Sequence, residues 1–303
     1  MIQIRRILCP VDLSDHSLRA LAHASTLAGW YESSVSALYV ETAPPVVNAA
    51  RITSFGGAPT AVFEAPQSTR AVDDLRARVA RAAKGRAVDL EMDDAPDVAD
   101  AIVRRAVIGG ADLIVMGTRG RAGMKRLFAG SVTERVLRTA PSPVLVIPPH
   151  DAVPTSTVSF KHIVAAIDFS DSSLAALQWA LSLSEEADAH LWLLHAIEVP
   201  PELRAASVVT DQEVDELNAF ARASALLRLR SLVPEGAEES CSIKTATTVG
   251  EASHALLKFA AEHEADLIVM GVQGHGAVDR LIFGSKTRDV VGAATCPVLT
   301  VRR

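Results

Sequence analysis

The sequence predicts an α/β protein with two domains of similar design, each with a parallel sheet covered by helices. At roughly 100–200 residues per domain, a chain of 303 residues suggests two domains. Hydrophobic residues make up 49% of the chain and aromatic residues only 4%, a composition typical of helices packed on a parallel sheet. In both halves short apolar runs alternate with stretches of helical periodicity, which favours right-handed crossovers between parallel strands.

Five strands are predicted in each half from these apolar runs, which are too short for core helices. In the first half they cover 7–11, 35–40, 88–92, 113–116 and 144–147, and in the second 163–167, 191–194, 243–247, 267–270 and 298–301. Between the third and fourth strands, Val98, Ile102 and Ala106 recur at the spacing of a helix that lies on a sheet. Ligands of such domains bind beyond the carboxyl ends of the strands, where the strand order reverses.

An internal repeat divides the chain. The heptamer ADLIVMG occurs at 111–117 and again at 265–271, and ILCPVDLSDHS in the first half matches IVAAIDFSDSS in the second. Asp12 and Asp168 are offset by 156, whereas Gly117 and Gly271 are offset by 154, so the halves differ by two residues, which we place in the variable middle. Two copies of this length indicate complete domains at 1–148 and 160–303, joined by a linker at 149–159.

Charge and cysteine content exclude several classes of partner. The formal net charge of -6 gives no global positive field to attract nucleic acid or an anionic membrane surface. Cys9, Cys241 and Cys296 form neither a disulfide framework nor a metal-ligand cluster. The first residues, MIQIRRILCPVDLSDHS, lack the apolar core of a signal peptide, and the apolar runs are too short to span a bilayer. We expect a cytoplasmic protein without nucleic-acid or membrane partners.

A glycine pattern follows the fourth strand in both halves. GTRGRAGMKRLFAGS and GVQGHGAVDRLIFGS both fit G-x2-G-x9-G-S, and a helical run comes next. Glycines let the backbone turn tightly and approach a ligand, and the helix start offers free amides and a positive dipole to phosphate. The serine hydroxyl either caps the helix or bonds a phosphate oxygen. Many glycine-rich turns after strands are only turns, so that alternative stays open.

An aspartate ends the first strand in each half, at Asp12 and Asp168. A carboxylate at this edge can accept hydrogen bonds from an adenine amino group or a ribose hydroxyl. The alternative is that it caps the following helix, together with Ser14 or Ser170.

The first-strand aspartate, the glycine pattern and the closing PVLV-type strand together resemble the universal stress protein family, in its ATP-binding branch. The resemblance implies two Rossmann-like domains, of the adenine nucleotide alpha hydrolase-like type, each with a five-stranded parallel sheet in the order 3-2-1-4-5. It implies ATP, with or without Mg²⁺, over the carboxyl edge of each sheet. The implied contacts are Pro10, Val11, Asp12, Val40, Met116, Gly117, Gly120, Gly130, Ser131 and Val132, then Ala166, Ile167, Asp168, Ala196, Met270, Gly271, Gly274, Gly284, Ser285 and Lys286.

The resemblance also implies which part of the nucleotide each residue would contact. The aspartates would contact the adenosine, Val40 and Ala196 would line the adenine pocket, and the Gly-Ser pairs would hold the phosphates. The domains would pair through their fifth strands within one chain, which leaves a further homodimer and a protein partner open.

Three departures from the family pattern make us expect competent but unequal pockets. The second half has Ala166 where the first has Pro10. The family has a Val-x-Gly-x-Pro-like turn after the third strand; the second half keeps Gly250, whereas the first half places Asp94 at the glycine position. Lys286 replaces Val132, and it either attracts a triphosphate or is an exposed first-turn lysine.

Three functions compete at this point. A nucleotide-dependent stress-response or signalling module fits the resemblance best. A slow ATP hydrolase or phosphotransferase is the alternative, but the chain has no G-x4-G-K-[ST] loop and no evident acidic cluster for Mg²⁺. A ligand-free structural dimer, in which the glycine loops are only turns, is the third. We assign no catalytic residue and no metal ligand, and expect at most weak ATPase activity.

Overall fold

A computed structural model describes residues 2–12, 14–42, 69–118, 130–149, 158–198, 211–236, 242–272 and 284–302. These residues form ten strands and eight helices. The elements of the first half are β1 (Arg6–Val11), α1 (Asp15–Tyr31), β2 (Ser34–Glu41), α2 (Thr69–Ala82), β3 (Asp89–Asp94), α3 (Val98–Gly109), β4 (Leu113–Gly117), α4 (Ser131–Thr139) and β5 (Val144–Ile147).

The second half repeats this order. Its elements are β6 (His162–Ala166), α5 (Asp171–Ala187), β7 (His190–Ile197), α6 (Asp211–Ser231), β8 (Ser242–Val249), α7 (Ala252–Glu262), β9 (Leu267–Gly271), α8 (Ser285–Ala293) and β10 (Val298–Val301). All ten predicted strands form, with small shifts at their ends. The third strand begins at Asp89 instead of Val88, because Asp89 is the first residue that pairs with β2.

All ten strands belong to one sheet, in the order β3-β2-β1-β4-β5-β10-β9-β6-β7-β8. Within each half the strands are parallel and follow the predicted order 3-2-1-4-5. The halves join through β5 and β10, which pair antiparallel with Leu145 opposite Leu299. This pairing gives each fifth strand a partner for backbone groups that an edge strand would expose. Because β5 and β10 run in opposite directions, the carboxyl ends of the two half-sheets lie at opposite edges.

Helices cover both faces of the sheet, and successive residues of β1 show why. Ile7 and Cys9 are buried in a cluster that includes apolar residues of α1, α2, α5 and α6. Leu8 points the other way, into a cluster formed with α3, α4, α7 and α8. Because side chains alternate along a strand, an almost entirely apolar strand is buried on both faces. Both clusters contain residues of both halves, so the packing is continuous across the junction.

Aromatic side chains fill the junction on the α1 face. Phe160, only 2% exposed, meets the Trp30 ring edge to face with 5.7 Å between centroids. The His23 ring lies 6.3 Å from the same phenyl ring. The Tyr31 hydroxyl lies 3.1 Å from the Ser182 hydroxyl, which connects α1 to α5. The two halves are therefore held by side-chain packing as well as by the sheet.

The turn after the third strand differs between the halves, and the sequence-based alignment of it is wrong. The Ala95 amide donates to the Glu41 carbonyl at 3.2 Å, and the Gly250 amide donates to the Ile197 carbonyl at 3.0 Å. Glu41 and Ile197 both end the second strand of their half, so Ala95, and not Asp94, corresponds to Gly250. Gly250 has a φ of 141°, a conformation that suits glycine.

The same comparison locates the two residues by which the halves differ. Ala95 and Gly250 are 155 apart, whereas the helix N-caps Asp97 and Glu251 are 154 apart. One residue is therefore lost before the third strand and the other in the turn that follows it, instead of both in the variable middle.

Two cysteines are part of the core. Cys9 and Cys296 are both buried free thiols, and burial raises the pKa of each, that of Cys296 to about 12. They therefore behave as small apolar side chains. Among the described residues, no helix is long and apolar enough to cross a membrane, and no group of three potential ligands could hold a metal ion.

The junction packing predicts a large effect of Phe160→Ala. Removing a phenyl ring from this site should lower the free energy of unfolding by about 3–5 kcal/mol, measured by chemical denaturation. Phe220→Ala is the matched control, because Phe220 is 74% exposed, and it should change stability by no more than about 0.5 kcal/mol. Equal effects of the two variants would contradict the junction described above.

His23 predicts a pH dependence of stability. Burial lowers its pKa below the ordinary 6.5, and the charges of Arg19 and Lys84 act in the same direction. The unfolded chain therefore binds the proton more readily, and the stabilisation by neutral His23 is present above pH 6.5 and lost as the pH falls below it. Each unit by which folding lowers the pKa is worth about 1.4 kcal/mol.

Denaturation of the parent chain and of His23→Gln from pH 7 to pH 5 measures this contribution. The parent should lose stability more steeply than the variant. Parallel curves would show that His23 does not titrate differently in the folded and unfolded states.

Candidate functional site

The candidate site lies at the carboxyl ends of β1 and β4, and again at those of β6 and β9. β1 and β4 are neighbours, and the chain passes from β1 to β2 on one side but from β4 to β5 on the other. The strand order reverses between them, and the helices that follow, α1 and α4, pack on opposite faces of the sheet. This is the position at which open α/β sheets form a ligand crevice.

Asp12 forms a turn with the start of α1. Its Oδ1 accepts hydrogen bonds from the Ser14 amide at 3.1 Å and from the Ser14 hydroxyl at 2.6 Å. Ser14 is the N-cap of α1, and its hydroxyl oxygen accepts a bond from the Ser17 amide at 3.2 Å. The serine therefore caps the helix, and the aspartate orients the serine, which refines the capping alternative drawn from the sequence.

The second half reproduces this turn. Asp168 Oδ1 accepts from the Ser170 amide at 3.0 Å and from the Ser170 hydroxyl at 2.5 Å. Ser170 caps α5 by accepting from the Ser173 amide at 3.3 Å. Each aspartate is thus fixed in one orientation at the strand end, half-buried, before any ligand arrives.

The first glycine of the pattern is required by packing. A Cβ at Gly117 would lie 3.3 Å from the His16 carbonyl oxygen in the first turn of α1. At Gly271 a Cβ would lie 2.7 Å from backbone atoms of Ser172 and Ser173. The strand end and the first helical turn approach so closely that a larger residue would push them apart. These two glycines are therefore explained by the fold, with or without a ligand.

The helix that follows the glycine pattern begins without a side-chain cap. Gly130 is the N-cap of α4 and Gly284 that of α8, and neither helix has a capping side chain. Ser131 and Ser285 are the first helical residues, and both are exposed, so neither hydroxyl is the cap. The first-turn amides have no partner within the helix and remain available to an anion.

Two threonines that the sequence analysis missed tie these helices to the sheet. The Thr133 hydroxyl donates to the Gly117 carbonyl at 3.0 Å, and the Gly130 amide donates to the Thr118 carbonyl at 2.8 Å. In the second half the Thr287 hydroxyl donates to the Val272 carbonyl at 3.4 Å. The sequence does contain a pattern that could have identified these threonines, because both halves have G-S-x-T at this position.

The remaining predicted residues are distributed around these turns. Pro10 and Val11 end β1; in the second half Ala166 ends β6 and Ile167 directly follows it. Met116 and Met270 are buried one residue before the strand-end glycines. Val40 and Ala196 are half-buried near the ends of β2 and β7. Gly120 and Gly274 lie outside the described residues, so the second glycine of each pattern stays a prediction.

Polar atoms without a partner mark the first-half site. The Thr118 hydroxyl and His16 Nδ1 are buried and have no hydrogen-bond partner among the described residues. Both residues adjoin Gly117, His16 through the contact described above and Thr118 in sequence. Buried polar groups are nearly always paired, so an unpaired group at a strand end is a place where a ligand or water would bind. The second half has Ser172 and Val272 at these positions.

The second half has an aromatic stack of its own beside Asp168. His195 Nδ1 donates to the Ile167 carbonyl at 2.7 Å, so this histidine has the satisfied hydrogen bond that we expected. Its ring lies 4.8 Å from that of Phe169, and the Arg228 guanidinium lies 3.7 Å above the Phe169 ring. Phe169 has a φ of 62°, which is uncommon for a bulky residue.

The charges at the two helix starts also differ. Lys286, in the first turn of α8, pairs with Glu198, with 2.6 and 2.7 Å from its Nζ to the two carboxylate oxygens. Val132 holds the equivalent position in α4 and is half-buried. Lys286 is therefore neither a free surface lysine nor free to meet a ligand without leaving Glu198.

The glycine contacts predict a graded loss of stability. Gly271→Ala should lower the free energy of unfolding by about 1–3 kcal/mol, because its Cβ would meet backbone atoms that cannot move away, and Gly117→Ala should cost less. Gly109→Ala is the control, since a Cβ there meets nothing within 4 Å. It should be neutral or stabilising by up to about 1 kcal/mol. Thermal denaturation measures all three, and a harmless Gly271→Ala would contradict the close approach.

Comparison with known proteins agrees with this geometry. The family model described as the universal stress protein family matches residues 3–148 and 159–302. Universal stress protein YxiE from Bacillus subtilis is 32% identical over 147 residues, which are 47% of this chain and 99% of the relative. Universal stress protein MJ0531 from Methanocaldococcus jannaschii is 30% identical over 144 residues, 48% of this chain and 83% of the relative.

The fold has a solved counterpart of the same length. The crystal structure of a universal stress protein from Archaeoglobus fulgidus superimposes with a TM-score of 0.61 and 20% identity, covering 99% of this chain and 97% of that one. The two family matches together span nearly all of the sequence, one in each half. The chain therefore belongs to the universal stress protein family.

Proposed function

We propose that each half binds one adenine nucleotide, ATP, over the carboxyl ends of its first and fourth strands. The observation that carries the proposal is the convergence of two helix starts on one strand end. Gly117 contacts the first turn of α1 through His16, and its carbonyl accepts the Thr133 hydroxyl from the first turn of α4. The positive ends of two helix dipoles therefore meet there, and only α1 has a side-chain cap.

The two sides of this crevice suit the two ends of a nucleotide. The first-turn amides of α4, at Ser131 and Val132, are placed to receive the phosphates, and the exposed Ser131 hydroxyl can add a bond. Asp12 provides a carboxylate acceptor for the adenosine on the other side of Gly117. Asp168, Ser285 and Lys286 would do the same in the second half.

Occupancy of these sites would act on the protein by mass action. A ligand that binds only the folded chain raises its stability, and it fixes the helix starts around the crevice. We infer a cytoplasmic, nucleotide-dependent module of the stress response, whose occupied surface another protein recognises. Mg²⁺ would arrive on the phosphates of ATP, and we assign no catalytic step to the described residues.

Substitutions that introduce a glutamate at the starts of α4 and α8 test the proposal. Ser131→Glu with Ser285→Glu places a carboxylate beside each set of first-turn amides, so ATP affinity measured by calorimetry should fall at least about tenfold. Both serines are exposed and acidic residues favour helix starts, so the fold should be retained.

The matched control carries the same two charges at the other ends of the same helices, Thr139→Glu with Ala293→Glu. It should bind ATP as the parent does. If the parent chain gives no heat and no thermal stabilisation with ATP, or if both pairs of substitutions weaken it equally, the proposed site is wrong.

A further inference from the structure

An ion pair in the second half connects a strand end to the proposed phosphate site. Glu198 directly follows β7, and Lys286 is the second residue of α8. The lysine Nζ lies 2.6 and 2.7 Å from the two glutamate oxygens, so the contact is bidentate. The side chains are 51% and 43% exposed, so the pair can open without disturbing the core.

Besides its contact with Lys286 at the start of α8, Glu198 contacts the start of α7. Its Oε1 accepts a hydrogen bond from the Ala252 amide at 2.8 Å, at the first residue of α7. One carboxylate is thus held by a helix-start amide and by a lysine, which is how a bound anion would be held. Glu251 caps the same helix, accepting from the His254 amide at 2.8 Å.

The charge of Lys286 also acts on Glu251. Burial opposes ionisation of Glu251, but hydrogen bonds from Ser253 and His254 and the charge of Lys286 hold its pKa below the ordinary value. The lysine charge is therefore already shared between two carboxylates when no ligand is present.

The first half has no counterpart of this arrangement. Thr42 follows β2 where Glu198 follows β7, and Val132 holds the position of Lys286. Among the described residues, the first half has a cation one turn further along α4, Arg135, which lies 2.5 Å from Asp97 and 2.9 Å from Asp100. Both acids belong to the start of α3. Within the described ranges, no carboxylate that follows the second strand is therefore held at the first turn of α4.

We propose that Glu198 and Lys286 form a latch that makes the second site the weaker of the two. The proposal rests on the proposed function. A polyphosphate at the start of α8 must draw Lys286 away from Glu198 and lie near the negative charge of that carboxylate. The first site has neither cost. The first site then fills at a low ATP concentration and the second site only at a higher one. One molecule therefore responds to two ranges of ATP concentration.

Methionine methyl groups allow each site to be followed separately in the intact chain. Met116 and Met270 occupy equivalent positions in β4 and β9, each next to the strand-end glycine, and are 4% and 7% exposed. The chain contains only five methionines, so ¹³C-methyl signals can be assigned by single substitution to leucine. In an ATP titration the Met116 signal should reach its midpoint at lower ATP than the Met270 signal.

Glu198→Gln is the decisive variant, because the amide can still accept the Ala252 bond but no longer holds the lysine. It should lower the ATP midpoint at Met270 about fivefold and leave that at Met116 unchanged. Glu262→Gln is the matched control, since Glu262 pairs with Lys258 at the far end of α7 with 3.8 Å between their charged atoms. That variant should change neither midpoint.

A reciprocal variant tests the same latch in the other half. Thr42→Glu with Val132→Lys should raise the midpoint at Met116 and leave Met270 unchanged. An unchanged or higher Met270 midpoint in Glu198→Gln would overturn the latch alone, because ATP would still be bound. No response of either methyl group in the parent chain would overturn the proposed function, and the latch with it.

Discussion

The close approach of a helix start to a strand end shapes the fold of each half and underlies the proposed binding site. At Gly117 and Gly271 the first turn of the opening helix of the same half, α1 or α5, lies so near the end of the fourth strand that no Cβ fits without displacement. The same strand end holds the next helix through a threonine hydroxyl, at 3.0 Å in the first half. Two helix dipoles are thereby directed at one point, and an anion placed there would be stabilised by both. The packing requirement and the proposed binding site thus share the same residues.

The duplicated chain has one such strand end in each half, and the two lie far from each other. The antiparallel pairing of β5 with β10 turns the carboxyl edges of the half-sheets in opposite directions, so two ligands would not touch. The clusters on both faces of the sheet nevertheless contain residues of both halves. After duplication each site could diverge on its own. The ion pair at Glu198, the stack on Phe169 and the Thr118 hydroxyl, which has no partner in the part of the chain that the structure describes, each belong to one half only.

Much of this was predictable, since apolar runs, the repeat and the G-S pairs are all local patterns. The strands, their parallel direction and the turn at Asp12 follow from residues close together in sequence, whereas the strand order 3-2-1-4-5 rested on the family resemblance. The errors have physical reasons. The alignment of Gly250 was wrong because it depends on strand register, and the division of the capping role between Asp12 and Ser14, which the sequence left open, depends on the direction of the serine hydroxyl. Glu198 and Lys286 are 88 residues apart, and no spacing rule joins them. The G-S-x-T pattern that contains Thr133 is visible in the sequence. Its role cannot be inferred until the Gly117 carbonyl is known to lie beside the threonine hydroxyl.

A crystal structure of the intact chain grown with ATP would show where the nucleotide binds. We expect adenosine beside Asp12 with its phosphates on the first-turn amides of α4, and the equivalent arrangement at Asp168 and α8. ATP bound elsewhere on the chain, with both helix starts facing only solvent, would contradict this expectation.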